Sequence, residues 1–186
     1  MNVINLLFRL FLTFNATSLI LVVYLVKEQK VINGWSCYLA GLPQWVSYVL
    51  YFAVPVLFTF LSLLLSNKLA DDNIEAEKGQ SAIREVEQAN NAYLPSYLGY
   101  FFVALSVPHC DTLIFVFAIL FLFTFLSQTL YFNPLFLVFG YHFYYLTTET
   151  NIKIFVISKR NLKNPSGLNF PNLKRINDFT FIDKDK

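Results

Sequence analysis

Apolar residues along this chain come in long blocks, and charged residues crowd into short stretches between them. Four blocks stand out. The first, LLFRLFLTFNATSLILVVYLV, covers about 6–26, and its twenty-one residues reach ~30 Å as a helix, the thickness of a bilayer's hydrocarbon. It lacks early Lys or Arg and an A-x-A-like site, so it reads as a retained signal anchor, not a cleaved peptide. The second covers about 45–65, with Pro43 placed to start it and Pro55 placed to kink it. The third, about 93–107, spans only ~22 Å and is the weakest of the four. The fourth, about 111–132, is a full span, and Asp111 stands where a helix cap is expected.

The pattern changes after Asn133-Pro134. A residue before proline avoids helical angles, which places the fourth helix exit near Phe132. An aromatic run follows, of the kind found where membrane meets water. Then a period of two appears: Ile152, Ile154 and Val156 on one face, Lys153, Phe155, Ile157 and Lys159 on the other. This predicts a hairpin of roughly 137–146 with 152–159, and 179–182 as a third strand. The expected fold is an α-helical membrane protein: a four-span transmembrane domain over 1–134, and a juxtamembrane and cytoplasmic β-hairpin or meander over 135–186. The 67–92 loop is rich in helix formers, which predicts helical extensions meeting near Gly79, with Ser81 as an N-cap.

Charge sets the orientation. Twelve of the fourteen Lys and Arg fall on the side that holds the N-terminus, the 67–92 loop and the tail; only Lys27 and Lys30 fall opposite. The positive-inside rule then puts both termini in the cytoplasm, at a bacterial inner membrane. Cys37 and Cys110 land in the two outer loops, where a disulfide between them and two free thiols both remain open.

Candidate chemistry is sparse. His109-Cys110-Asp111 are neighbours in one turn and do not converge as a dyad or metal site would. No phosphate loop or zinc spacing occurs, so the reading is non-enzymatic, with no cofactor. Arg9, Asn15 and Gln128 are the intramembrane polar candidates: Arg9 as an interfacial anchor, the others as interhelical hydrogen-bonding groups or a pore lining. In the tail, Lys159, Arg160, Lys163, Lys174 and Arg175, with Phe179 and Phe181, are candidate contacts to membrane lipids or a cytoplasmic protein. The aromatics precede the basic pairs instead of interleaving with them, which argues against direct nucleic-acid binding.

FNPLFLVFGYHFY (132–144), IKIFVISKRNLKNP (152–165) and FPNLKRINDFTFID (170–183), on this span plan, resemble the KwaA family, membrane subunits of the two-gene Kiwa anti-phage system of bacteria. The resemblance implies a homo-oligomeric inner-membrane sensor, a tetramer, that holds the cytoplasmic DNA-binding effector KwaB. It transfers no functional residue one by one. The alternative function is an oligomeric channel or depolarising effector, with the fourth span lining the pore.

Overall fold

The computed structural model describes residues 3–32, 43–74, 82–92, 94–127 and 133–185. Four apolar helices match the four blocks within a few residues: α1 (Val3–Lys27), α2 (Gln44–Leu65), α3 (Leu94–Ser106) and α4 (Cys110–Ser127). Three of them, α1, α2 and α4, are long and apolar enough to cross a membrane; α3, at thirteen residues, is not. Asp111 lies inside the first turn of α4, not at its cap, where its charge still favours the helix N-terminus. The fourth helix exit at Phe132, the Gly79 joint and the Ser81 cap lie outside the described residues.

α1 is the hub. It packs against α2, α3 and α4, and 56% of its apolar window is buried, against 22% for α2 and 11% for α4. The outer faces of α2 and α4 are therefore solvated by lipid or by other protein, because water would not tolerate them. Arg9 and Lys27 stand eighteen residues apart on α1, ~27 Å along the axis. At the Lys27 end, its ammonium donates to the Val107 carbonyl at the close of α3 and pairs with Glu28 at 3.3 Å.

The β structure is larger than a hairpin. Among the described residues six strands, β1 (Asp71–Ile74), β2 (Ile83–Gln88), β3 (His142–Thr148), β4 (Lys153–Ser158), β5 (Phe170–Arg175) and β6 (Thr180–Asp183), form one mixed sheet in the order β1-β5-β6-β4-β3-β2. β3 and β4 form the predicted hairpin, β6 the predicted third strand, and β5 is an addition. The β5–β6 hairpin folds back so that β6 lies parallel to β4. Both edge strands come from the loop expected to be helical: β1 pairs with β5, and β2 pairs with β3. The hairpin also begins later than expected, because Leu135–Val138 is a single helical turn, α5. Pro134 presets helical φ at −57° ahead of it, and Gly140 leaves it at φ +75°.

Alternation along the strands sorts the sheet into two buried faces. Phe143, Phe155, Ile157 and Ile182 face the helices, packing on Phe8 and Leu12 of α1, Phe136 of α5, and Leu63 and Leu65 of α2. Tyr144, Leu146, Ile154, Val156, Leu173 and Phe181 face away. Ile74 from one edge and Ile83 and Val86 from the other join that second cluster, so the sheet curls on itself; Leu162 and Leu168 of the β4–β5 connection cover it.

Candidate functional site

The helices and the sheet meet at a junction fixed by apolar packing and by polar ties. Among the ties, Asn5 at the start of α1 donates to the Arg175 carbonyl of β5 at 3.3 Å. Lys184, just past β6, donates to the Leu63 carbonyl (3.1 Å) and Ser66 Oγ (2.6 Å) at the end of α2. An ammonium there meets the negative end of the α2 dipole. Burial, then the nearby Lys174 and Lys159 ammoniums, hold its pKa below the ordinary 10.5. The unfolded chain therefore binds the proton more tightly, and the Lys184 contribution to stability should rise with pH in a window below 10.5. Lys184→Met should remove that rise. The check is a comparison of melting temperatures of the two purified proteins between pH 8 and 10.5.

Deeper in the bundle lies a polar knot. Asn15, Thr59 and Asn133 are at most 1% exposed. With its amide oriented to satisfy every neighbour, Asn15 Oδ1 accepts from the Thr59 hydroxyl (2.8 Å), the Thr59 N–H (3.2 Å) and Asn133 Nδ2 (2.9 Å), and its Nδ2 donates to the Pro55 carbonyl (3.1 Å). Asn15 of α1 thereby bonds both the carbonyl and the N–H of one α2 rung, Pro55 to Thr59, one turn beyond the carbonyl that the proline leaves without a donor. Asn133 Oδ1 in turn accepts the Leu135 N–H at 3.0 Å, which starts α5. One interaction set therefore joins α1, the Pro55 turn of α2 and the strand-bearing segment. Leu135 packs on Leu19 and Tyr97, so α5 fills the space beside the short α3.

Strand alternation divides the predicted tail residues. Lys159 and Lys174 lie in the rows that face the helices, as do Lys153 and Lys184. Lys159 sits 5.0 Å from the Tyr141 ring centre, and Lys174 pairs with Asp71 of β1. Arg160 and Arg175 lie in the opposite rows. Arg160 binds the fully buried Asp183 at 2.8 Å and stacks 4.6 Å from the Phe170 ring centre, so it locks the fold; Arg175 pairs with Asp178 at 2.6 Å. Lys163 is exposed on the β4–β5 connection. Phe179 is 60% exposed, whereas Phe181 is 6% exposed within the core.

Arg9 is buried, its guanidinium 5.5 Å from the Phe125 ring centre near the end of α4. Thr124 is buried against Tyr100 at 3.3 Å, and Ser127 donates to the Thr124 carbonyl. Gln128 lies outside the described residues, as does Cys37; Cys110 is an exposed thiol. Among the described residues no three His, Cys, Asp or Glu side chains stand together as metal ligands would.

A family whose description is "Anti-phage protein KwaA" matches residues 8–182, nearly the whole chain and both of its structural parts. The chain belongs to the KwaA family of anti-phage proteins. Searches of curated proteins and of solved structures return no match. The match spans the α1 hub, the loop strands and the sheet, so the KwaA unit is the helices and the sheet together. Sequence reading passed over Thr59, Asn133 as a hydrogen-bonding group, and Lys184. Of these, Asn133 carried a signal: an amide before proline at the edge of an apolar block.

Proposed function

We propose that this anti-phage protein is a non-enzymatic scaffold and sensor of the inner membrane, with its sheet in the cytoplasm. It holds a cytoplasmic DNA-binding effector, KwaB in the Kiwa system, on the sheet face turned away from the helices. The observation that carries this reading is the division of the tail's cations by strand alternation. Of the helix-facing lysines, Lys174 and Lys184 are spent on the junction, whereas Lys163 and Arg175 are presented outward. Lys163 is exposed on a connection whose 161–169 stretch carries no acid, so it suits an acidic patch on the partner.

Signalling follows from the junction. A strain on the bundle that shifts α1 against α2 alters the Asn15–Thr59–Asn133 set, which is continuous with α5 and the sheet. It regulates the partner only if the two arrangements bind it with different affinity. Assembly into a homo-oligomer, a tetramer by the family resemblance, would cover the open faces of α2 and α4. Lys163→Glu with Arg175→Glu should reduce co-purification of KwaB about tenfold or more while the protein stays in the membrane fraction. Undiminished co-purification from a correctly inserted double variant would refute the outward face as the docking surface.

A further inference from the structure

A groove of about 450 Å³ opens where α4 meets the sheet, between Leu126 and Ser127 on one side and Tyr145, Lys153, Phe155 and Phe179 on the other. We propose that it holds one phospholipid with a zwitterionic headgroup of the phosphoethanolamine class, its upper acyl chain against Leu126 and Phe179 and its headgroup at Lys153 and Glu87. The proposal rests on the reading that α1, α2 and α4 lie in a bilayer.

Position selects a lipid. Leu126 belongs to the last turn of α4, and its exposed side chain continues the exposed apolar face of Leu122 and Phe123. The groove is thus the end of a lipid-facing surface. Lys153 lies in the helix-facing rows with Lys159, Lys174 and Lys184, the level at which ammonium groups meet headgroups. Phe179, 60% exposed at that same level, is placed as an interfacial aromatic anchor.

Charge selects the headgroup. Lys153 Nζ donates to Glu87 at 2.9 Å and lies 4.5 Å from the Tyr145 ring centre. Lys153, the charged residue in the groove's lining, is neutralised by this ion pair, so the groove itself offers no unpaired cation to an anionic lipid. The pair still presents both poles to a zwitterion: Lys153 to the phosphate, and Glu87 to the N–H donors of an ethanolamine ammonium, which a choline headgroup lacks. Its bond to Glu87 raises the Lys153 pKa, which keeps the ammonium charged.

The test is native mass spectrometry of the full chain in detergent, titrated separately with palmitoyl-oleoyl phosphatidylethanolamine, phosphatidylglycerol and phosphatidylcholine. The wild type should retain phosphatidylethanolamine best. Lys153→Met and Glu87→Gln should each lower that retention about fivefold, as loss of one exposed charge contact implies. Leu126→Trp, which fills the groove from a lipid-facing position, should abolish it. Tighter retention of phosphatidylglycerol, or unchanged phosphatidylethanolamine retention in all three variants, would overturn the proposal. So would loss of a second copy of the chain, in place of lipid, from Leu126→Trp. Alkaline carbonate extraction of the same proteins separates the two claims. Variants that resist extraction yet ignore the lipid sink the groove alone, whereas extraction of the wild type sinks the membrane reading beneath it.

Discussion

Phe136→Ala is expected to destabilise the protein by about 3–5 kcal/mol, the usual cost of emptying a fully buried phenylalanine site. Phe136 is 0% exposed and packs edge-on against both Tyr141 and Phe143. It sits in the cluster shared by α1, the end of α2, α5 and the inner face of the sheet. The loss therefore falls on the attachment between the two parts, beyond any local effect on α5. A large drop in melting temperature, with faster amide exchange in β3 and β4, is the expected result. Val138→Ala, on the same helical turn but 68% exposed, should change little. Equal, small effects from both would mean that the sheet does not bear on the helices as described.

Asn15→Leu should cost about 2–3 kcal/mol. A single interhelical hydrogen bond within a membrane is worth only about 0.6 kcal/mol on average, but this substitution removes several at once in a site closed to water. The Thr59 hydroxyl keeps the Pro55 carbonyl (2.9 Å) and Asn133 Nδ2 keeps Thr59 Oγ1 (3.2 Å), so no partner is left bare and the cost is that of the lost bonds added together. Asn133→Leu acts on the same set from the other side. The double variant should consequently cost clearly less than the two single costs added together. Strict additivity in a denaturation cycle would show that the two amides do not form one unit. If the set also transmits strain, the single variants that still fold should bind the partner normally yet fail to respond to phage.

The apolar blocks were legible because lipid-facing helices must be apolar over their whole length, a demand that no tertiary contact can override. The ends agree within a few residues wherever both are described. The loop strands were not legible. ADDNIEAEK and SAIREVEQ are made of helix formers, and what makes DDNI and IREVEQ strands is pairing with Lys174, Leu173 and the β3 backbone. Such edge strands borrow their conformation from neighbours far along the chain. β5 was hidden by Pro171, which reads against a strand. The proline is tolerated because β6 pairs only with Leu173–Arg175, and β1 shifts register between Asp72 and Ile74.

For the candidate site, residue types were legible but their facing was not. Phe181 and Arg160 looked like surface contacts and are instead a core residue and the partner of a buried aspartate. The period of two in β4 was correct, yet both of its faces are buried, because the helices cover one and Leu162 and Phe170 the other. Deleting 152–186 would accordingly remove three of the six strands and uncover Phe8 and Leu12 of α1. Such a truncation tests folding, not docking, and single surface positions are needed.

A membrane-held bundle that presents a soluble partner with the outward face of its sheet should be captured by site-specific photocrosslinking in cells, with the crosslinking amino acid placed at Lys163 on that face or at Trp45, exposed at the opposite end of α2. Capture of KwaB at Lys163 and none at Trp45 is the predicted result. Capture at Trp45, or none at Lys163 from a protein that still co-purifies with KwaB, would contradict it.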